Sequence, residues 1–372
     1  MEKKILIVAG EQSSDLHAAN LVKEIKILMP DVKFFGLGGS KMEREGVKLY
    51  FNIVDLAVVG FVEVLKNIGK FKAIFNGLLK EVDKLNPHLA ILIDYPGFNL
   101  RLAAKLKKRN IPVIYYISPQ IWAWGQNRIK LIRKFVNHII VIFKFEEEIY
   151  RKEGIPVNFV GHPFLDIIRA DSPLNLAAHK TTLALLPGSR EIEVNRLLPL
   201  MLNTAKIIYD KIPQSQFIIL RSSTVKEEIF NRVISNYKLP IYVFEDKTYE
   251  GLISSDFALI ASGSATLESA MLEKPFVIIY KVSWLTWLFL RPIIRIHHIG
   301  LVNIVAGRKI IEEFVQHHAE PKRIANYIIQ TLSNPQKITS LKNDLSRIKL
   351  LLGEKGASRR AANIIVDILK QS

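Results

Sequence analysis

The sequence predicts an α/β protein in which two doubly wound parallel sheets are covered by crossover helices. Short apolar runs alternate with amphipathic stretches along almost the whole chain, and parallel strands joined by helices produce this pattern. A length of 372 residues is long for one domain and natural for two. We therefore expect two Rossmann-like units, each with its own hydrophobic core.

The apolar runs place the predicted strands and helices in order. In the first half of the chain, strands are predicted at residues 5–9, 33–37, 89–93, 113–117 and 138–143. Helices are predicted near residues 18–29, 61–85, 100–109 and 128–135. In the second half, strands are predicted at residues 183–186, 217–220, 241–244, 257–260 and 276–280.

A polar stretch without periodicity, residues 161–180, marks a linker between the two units. We assign residues 1–165 to an N-terminal unit and residues 175–340 to a C-terminal unit. The helical segment 341–372 is expected to pack back on the first unit or on another subunit. Because ligands of such folds lie at the carboxyl ends of the strands, we expect the reaction in a cleft between the units.

The composition points to an anionic partner. Lys and Arg number 52 against 35 Asp and Glu, a formal charge of +17, which favours nucleic acid, anionic lipid or phosphorylated substrates. No cysteine occurs, which excludes disulfides, thiolate catalysis and cysteine zinc sites and is compatible with a reducing compartment. The N-terminal residues lack the pattern of a signal peptide, so we expect a cytoplasmic protein.

The apolar stretch from residue 276 to residue 299 is the one that suggests a membrane. Lys281, Arg291 and Arg295 interrupt it, well short of the ~20 apolar residues that a spanning helix needs. The sequence therefore favours a segment that lies on a membrane over one that crosses it.

A small-residue turn after the predicted strand 257–260 has the features of an anion site. Side chains small enough to let phosphate reach backbone N–H groups follow this strand, namely Ser262, Gly263, Ser264, Ala265 and Thr266. The positive end of the next helix dipole would face the same ligand. Glu268, in the first helical turn, could cap the helix or accept a ribose hydroxyl.

A second turn of this kind lies upstream. The predicted strand 183–186 runs into Pro187, Gly188, Ser189 and Arg190, and a helix is predicted from Glu191. Two phosphate-competent turns in one half of the chain suggest a diphosphate ligand.

Two carboxylates follow strands of the first unit. Asp94 ends the uncharged strand 89–93, where partial desolvation would raise its pKa and suit it to act as a general base on a hydroxyl. A helix cap or turn is an equally good interpretation of Asp94. Glu11 follows the first strand, and Ser13, Ser14 or Asp15 is expected to cap the next helix, with capping a better interpretation of Asp15 than of Glu11.

Several familiar ligand motifs are missing. The glycine-rich residues 36–40 depart from the dinucleotide fingerprint, because Lys41 stands at the place of its third glycine, which disfavours a nicotinamide enzyme. There is no nucleotide-binding P-loop and no D-x-D pair of a metal-dependent sugar transferase. The adjacent histidine pairs at 297–298 and 317–318 cannot share a helix face. We expect neither a metal nor a cofactor.

The predicted helix from residue 61 carries an apolar stripe formed by Leu65, Ile68, Phe71, Phe75 and Leu78, with Lys66, Lys70 and Lys80 beside it. Such a stripe ordinarily faces the core. A second basic and aromatic stretch contains Trp284, Trp287, Phe289, Arg291 and Arg295. Together the two could hold the protein at the headgroups of an anionic leaflet.

The chain resembles the bacterial lipid-A-disaccharide synthases, inverting glycosyltransferases of the GT-B architecture, over nearly its whole length. The shared motifs are AGE-x-S-x-D at 9–15, G-x-GG at 36–39, ID-x-P-x-FN at 93–99, Y-x-SP-x-x-WAW at 116–124, GHP at 161–163, LLPGSR at 185–190, ASG-[ST]-A-x-LE at 261–268 and N-x-x-AGR at 303–308. Each motif alone is weak, whereas their combination in this order is highly specific.

The resemblance implies transfer of 2,3-diacylglucosamine from its UDP derivative to the 6-hydroxyl of 2,3-diacylglucosamine 1-phosphate. It implies that Asp94 is the base and that Glu11 has an acceptor-side or orienting role. Arg190 and the two small-residue turns would bind the diphosphate of UDP. Glu268 would hold the ribose, and Asn303 resembles a residue near the donor. The product would be the β-1,6 disaccharide of lipid A, a component of the outer-membrane lipopolysaccharide of Gram-negative bacteria.

The resemblance also implies a metal-independent hexosyltransferase that associates peripherally with the inner membrane and binds no nucleic acid, with a homodimer left open. The alternative enzyme is another GT-B protein acting on UDP-N-acetylglucosamine, either the peptidoglycan lipid transferase or a 2-epimerase. A basic binding module without catalysis would be a different class altogether.

Overall fold

The computed structural model describes residues 2–53, 68–122, 128–168, 172–176, 180–282 and 298–371. The chain divides into two compact units. Unit 1 consists of Met1–Asp166 and Leu352–Ser372, and unit 2 consists of Ile167–Leu351.

A parallel sheet forms the centre of unit 1. Its strands are β1 (Lys4–Ala9), β2 (Lys33–Gly38), β3 (Val47–Asn52), β4 (Leu89–Ile93), β5 (Val113–Tyr116), β6 (His138–Val141) and β7 (Val157–Phe159). Their order across the sheet is β3-β2-β1-β4-β5-β6-β7, with parallel pairing throughout. The chain therefore starts at the middle of the sheet and winds outwards in both directions.

Helices cover this sheet. They are α1 (Gln12–Leu28), α2 (Ser40–Arg44), α3 (Ile68–Leu85), α4 (Pro96–Lys107), α5 (Arg128–Phe135), α6 (Lys144–Lys152) and α7 (Phe164–Ile167). Every residue of β4 is buried, as expected of a central strand covered on both faces. The core against α3, α4 and α5 includes Leu6, Leu92 and Leu102, none of them exposed. Each such side chain contributes about 1.5–3 kcal/mol to folding through its burial.

Unit 2 repeats the design with a second parallel sheet. Its strands are β8 (Thr181–Leu186), β9 (Ser215–Arg221), β10 (Ile241–Glu245), β11 (Phe257–Ala261), β12 (Phe276–Tyr280) and β13 (Glu313–Val315), in the order β10-β9-β8-β11-β12-β13. Its helices are α8 (Glu191–Lys211), α9 (Glu227–Ile234), α10 (Thr248–Ser254), α11 (Ala265–Met271), α12 (Leu301–Ala306), α13 (Pro321–Leu332) and α14 (Pro335–Leu351). A separate core between the sheet, α8 and α13 contains Leu185, Leu198 and Ile324.

The last helix, α15 (Ala357–Gln371), belongs to unit 1 and packs against α1. The carboxylate of Asp166 caps it by accepting hydrogen bonds from the backbone N–H groups of Gly356 at 2.5 Å and Ser358 at 3.2 Å. The preceding helix α14 stays in unit 2, where it packs against α11, α12 and α13. The C-terminal segment 341–372 is thus divided between the two units.

The predicted α/β class with two doubly wound sheets is confirmed, and the central strands lie where the apolar runs placed them. Three strands were missed: β3, β7 and β13. All three lie at sheet edges, and their residues are only partly buried. Strands of this kind carry mixed polar and apolar sequences, so they do not stand out as apolar runs.

Candidate active site

Asp94 lies at the carboxyl edge of the unit 1 sheet, directly after β4, in an unusual backbone conformation. Both Asp94 and Tyr95 have φ of 47°, in the left-handed region that non-glycine residues seldom adopt. The carbonyl of Asp94 accepts hydrogen bonds from Asn99 Nδ2 at 2.8 Å and Tyr115 Oη at 2.5 Å. Its N–H group donates to the carbonyl of Ile117 at 3.2 Å. Backbone strain held in place by neighbouring groups in this way is concentrated at functional sites.

The carboxyl group of Asp94 is poised for proton transfer near neutral pH. Burial, followed by the negative charge of Glu11, raises the pKa of Asp94 from its ordinary 3.8 to about 6. A hydrogen bond to the backbone of Tyr95 opposes the shift. A carboxylate with this pKa is largely ionised at pH 7 and is a stronger base than a solvated one.

Glu11 follows β1, the strand next to β4, and is the residue before α1. It forms a capping box with Ser14, whose hydroxyl accepts a hydrogen bond from the Glu11 N–H at 2.9 Å. The neighbouring Gly10 has no room for a side chain, because a Cβ atom there would meet the ring of Tyr95 at 2.4 Å. The first turn therefore packs closely beside the Asp94 loop, and Glu11 has both a capping role and an electrostatic effect on Asp94.

Asp15 caps a helix other than the one expected. Its carboxylate accepts hydrogen bonds from the backbone N–H groups of Gly39 at 2.8 Å, Lys41 at 3.1 Å and Met42 at 3.2 Å, at the start of α2. Of the three predicted caps of α1, Ser13, Ser14 and Asp15, it is Ser14 that takes part in the cap, together with Glu11, whereas Asp15 caps α2. The AGE-x-S-x-D motif is thereby tied by one hydrogen bond to the G-x-GG motif and by two more to the first turn of α2.

In unit 2, the turn after β8 presents Ser189 and Arg190 to solvent. Gly188 has φ of 112°, and a Cβ atom there would meet the Glu193 carboxylate at 2.4 Å. Glu193 folds back over the turn: it accepts hydrogen bonds from the Ser189 N–H at 3.2 Å and from Arg190 Nη1 at 3.0 Å. An internal carboxylate thus occupies the donors that the sequence suggested for phosphate.

The turn after β11 leads into α11. Backbone hydrogen bonding begins where the Thr266 N–H donates to the carbonyl of Gly263, so the N–H groups of residues 263–265 precede the helical ladder. The Thr266 hydroxyl also bonds to the Gly263 carbonyl, at 2.7 Å, and is fully buried. Gly263 and Ser264 are exposed, and Ala265 and Ser262 are partly exposed. The turn is open to an anion approaching its backbone.

Glu268 lies in the first turn of α11, partly exposed. Burial raises its pKa to about 7, against the hydrogen bonds of Ser264 and Tyr249, which lower it. Tyr249, on α10, has its own pKa raised by burial and by the charge of Glu268. Near neutral pH this carboxyl group is therefore divided between its neutral and ionised forms and can both donate and accept hydrogen bonds.

Asn303 is fully buried, and its amide is saturated. Its Oδ1 accepts hydrogen bonds from the N–H groups of Ile310 and Ile311, and its Nδ2 donates to the Ile311 carbonyl and to Glu313 Oε1. Glu313 also accepts from the N–H groups of Ile299 and Gly300. Asn303 thus fixes the loop around α12 and has no amide group left for a ligand.

Part of the predicted membrane face lies in the core of unit 1. Leu78 on α3 is fully buried, and Phe71 and Phe75 pack against the same core. Lys70 and Lys80 beside the stripe are exposed. The remaining residues named for this face, Leu65, Lys66, Trp284, Trp287, Phe289, Arg291 and Arg295, lie outside the described residues, and the side chain of Ile68 is not described either. None of the helices in the described ranges is long and apolar enough to cross a membrane.

Three side chains at these edges escaped the sequence analysis: Glu146, Glu193 and Tyr249. Glu146 belongs to the charged run 146–148, which resembles a solvated helix face. Glu193 and Tyr249 belong to ordinary amphipathic helices. Only the packing of the helices shows that Glu146 is buried and that the other two contact predicted site residues.

Comparison with known proteins gives the fold first. A putative UDP-N-acetylglucosamine 2-epimerase from Listeria monocytogenes matches with a TM-score of 0.68 and 11% identity, covering 100% of this chain and 98% of its own. A kitacinnamycin glycotransferase matches with a TM-score of 0.65 and 13% identity, covering 98% of both chains. At such identities the likeness shows the fold alone, which is that of GT-B glycosyltransferases and related sugar-nucleotide enzymes.

The sequence comparisons are more specific. The profile of the lipid-A-disaccharide synthetase family matches residues 5–368. A lipid-A-disaccharide synthase of Syntrophus aciditrophicus is 42% identical over 378 aligned positions, which cover 100% of this chain and 99% of the relative. The chain belongs to the lipid-A-disaccharide synthase family of glycosyltransferases. The alternative of an epimerase or peptidoglycan transferase is not favoured.

Proposed function

We propose that the protein transfers 2,3-diacylglucosamine from UDP-2,3-diacylglucosamine to the 6-hydroxyl of 2,3-diacylglucosamine 1-phosphate, forming the β-1,6 lipid A disaccharide 1-phosphate and UDP. Family membership supports the substrates. The structural observation that carries the chemistry is the Asp94 carboxyl group, held by a strained loop at the sheet edge beside Glu11 with its pKa raised to about 6.

Asp94 is the general base in this proposal. Its carboxylate accepts the proton of the acceptor 6-hydroxyl as that oxygen attacks the anomeric carbon of the donor and the bond to UDP breaks. One displacement of this kind inverts the anomeric configuration, which makes the enzyme an inverting transferase. A positioned general base contributes about 10²–10⁴-fold to the rate.

The role of Glu11 is to set the charge around Asp94 and to orient the acceptor. Its carboxylate raises the pKa of Asp94, and its capping box with Ser14 fixes the turn that packs on Tyr95. An ionised neighbour of this kind keeps the base strong without taking part in the proton transfer itself.

The UDP diphosphate binds at the two turns of unit 2. Arg190 and the Ser189 N–H lie at one turn, and the turn 262–266 presents the backbone N–H groups of residues 263–265 and the helix end at the other. These groups stabilise the negative charge that develops on the leaving group, so the reaction needs no metal ion. Because Glu193 accepts hydrogen bonds from the Ser189 N–H and from Arg190 Nη1, the diphosphate competes with its carboxylate for these two groups.

The carboxyl group of Glu268 accepts hydrogen bonds from the ribose hydroxyls, and Tyr249 orients that carboxyl group. Asn303 supports the donor site without touching the ligand. Its partner Glu313 also binds the N–H of Ile299, whose carbonyl accepts a hydrogen bond from the Ser262 hydroxyl at 3.3 Å. Asn303 and Glu313 therefore hold the loop that packs on the small-residue turn.

The acylated substrates require a membrane surface, and we propose peripheral binding to the anionic inner leaflet. The neighbouring helices α4 and α5 support this. Both carry several Lys and Arg and no acidic residue, they pack against each other, and Leu131 on α5 is 44% exposed. Basic side chains around exposed apolar ones suit an anionic headgroup layer.

The test of the function is a reconstituted reaction. Purified protein in detergent is incubated with synthetic UDP-2,3-diacylglucosamine and 2,3-diacylglucosamine 1-phosphate, and UDP and the disaccharide are measured by coupled assay and mass spectrometry. We expect UDP release only when both lipids are present. Conversion of UDP-N-acetylglucosamine without an acceptor, or the absence of disaccharide, would contradict the proposal.

A further inference from the structure

Glu146 is a buried carboxyl group to which the mechanism above gives no part. It lies in the first turn of α6, after β6, and is 2% exposed. A glutamate at the start of a helix is ordinarily solvated, because water and the helix dipole both stabilise its charge there. Its burial therefore calls for an explanation from its contacts.

One oxygen of Glu146 has a partner and the other does not. Oε1 accepts a hydrogen bond from Trp122 Nε1 at 3.0 Å, whereas Oε2 is buried without a partner. The Trp122 ring also packs edge-on against Phe145, with ring centroids 5.4 Å apart. A buried carboxylate with one unsatisfied oxygen is costly, so the site favours the neutral acid.

The segment from Ile117 to Trp122, which Glu146 anchors at its far end, also supports Asp94. The Asp94 N–H donates to the carbonyl of Ile117 at 3.2 Å. Ile117 has φ of 58°, a strained value for a β-branched residue. Such a backbone persists only where its surroundings hold it. The Ile117 N–H donates to the carbonyl of Ile140 at 3.0 Å, and the Trp122–Glu146 hydrogen bond fixes the other end of the segment.

We propose that Glu146 is a positioning residue for the transfer reaction: through Trp122 it fixes the segment that binds the main chain of Asp94, and so holds the base in place. The inference rests on the proposed role of Asp94. Glu146 itself touches neither substrate nor the reacting atoms.

Ionisable groups around Glu146 define its charge. Asp94 faces it across the sheet edge and Tyr150 lies on its own helix, while Ser118 and Trp122 approach from the segment after β5. Asp94 in turn interacts with Glu11, with the backbone of Tyr95 and with the hydroxyl of Tyr115. Burial is the largest cause that raises the pKa of Glu146, to about 7, and the Asp94 charge adds to it, against hydrogen bonds from Trp122, Ser118 and the Phe143 backbone, which lower it. Above that pH the anchor acquires a buried charge.

The test compares variants of the full-length enzyme in the lipid transfer assay. Glu146→Ala and Trp122→Phe each break the anchor, so each should lower kcat by roughly tenfold or more, a modest loss next to removal of the base. The UDP dissociation constant should stay unchanged. Because both substitutions remove the same hydrogen bond, the kcat of the double variant should be no lower than that of the single variants. Glu148→Ala, an exposed change on the same helix, is the matched control and should behave as wild type.

Glu146→Gln separates positioning from mere structural support. Glutamine can still accept from Trp122 but cannot ionise, so this variant should keep far more activity than Glu146→Ala. The ratio of its kcat to that of wild type should rise as the pH increases through 7, because only the wild type acquires the buried charge. A flat ratio, or multiplying losses in the double variant, would overturn the inference. If Glu146→Ala loses its cooperative thermal transition, the Gln and Trp122→Phe variants decide.

Asp94→Asn in the same assay separates the two proposals. Full activity of Asp94→Asn would overturn the base role itself. An inactive Asp94→Asn beside fully active Glu146 variants would overturn only the positioning role of Glu146.

Discussion

The carboxyl edges of the two sheets carry opposite chemistry on similar folds. In unit 1, the partly buried Asp94 and Tyr95 follow β4, the buried Phe143 and Glu146 follow β6, and φ is positive at Asp94, Tyr95 and Ile117. In unit 2, the turns after β8 and β11 contain small or exposed residues. The backbone of residues 263–265 is open, whereas the Glu193 carboxylate bonds to the Ser189 N–H and to Arg190. Proton abstraction needs a desolvated, rigid carboxylate, whereas a diphosphate needs unobstructed N–H groups and cations, and each edge meets one of these needs.

The largest expected effect is the loss of the base at the unit 1 edge. Asp94→Asn keeps the shape and the main-chain hydrogen bonds but removes the proton acceptor, so kcat should fall by on the order of 10²–10⁴. In wild type, kcat/KM should rise with pH through about 6, the raised pKa of Asp94, and should level off above it as the carboxyl group becomes fully ionised. UDP affinity measured by calorimetry is the control and should not change. A loss of less than about tenfold would move the base role to Glu11.

The next effect tests the unit 2 edge. Arg190→Ala removes a charge-assisted contact to the diphosphate, which typically costs about 1.5–3 kcal/mol. The UDP dissociation constant should therefore rise by roughly 10- to 150-fold, measured by calorimetry. Lys206→Ala, an exposed cation on the same helix α8, is the matched control. Equal UDP affinity in the Arg190 variant and the control would remove the diphosphate from this turn.

A third prediction concerns stability at the unit 1 edge. The pKa of Glu146 rises from 4.5 to about 7 on folding, so the folded state binds its proton more tightly than the unfolded chain. Stability is then fully present below pH 4.5 and is lost as the pH increases to about 7, by about 3 kcal/mol. Glu146→Gln should abolish this part of the pH dependence in urea unfolding curves. Parallel curves for wild type and variant from pH 5 to pH 8 would show that Glu146 ionises freely.

The smallest expected effect concerns the hydrogen bonds of Glu193 at the carboxyl edge of the unit 2 sheet. Glu193 occupies the Ser189 N–H and Arg190, so it competes with the diphosphate and repels its charge. Glu193→Gln should tighten UDP binding a few-fold, as expected for an exposed ion pair worth about 0.2–1 kcal/mol. Weaker binding in this variant would mean instead that Glu193 orients Arg190 for the ligand.

Much of the fold could be predicted from the sequence because central parallel strands are buried on both faces and must be apolar without interruption. The small-residue turns at 187–190 and 262–266 were visible for a similar reason: a close approach to backbone N–H groups demands small side chains. The edge strands β3, β7 and β13 were not visible, because half-exposed strands have no such compositional demand.

Sequence patterns were sufficient to predict the central strands of the two sheets and the turns that follow them. They also identified Asp94, Glu11 and Arg190 as candidate site residues. The tertiary structure alone decided which polar side chains are desolvated and which are already occupied. The amide of Asn303 is saturated by hydrogen bonds from its own loop, and Asp15 caps α2. Glu146 is buried although the residues next to it in the sequence are charged. Burial and hydrogen-bond partners come from residues distant in the chain, so no local pattern can reveal them.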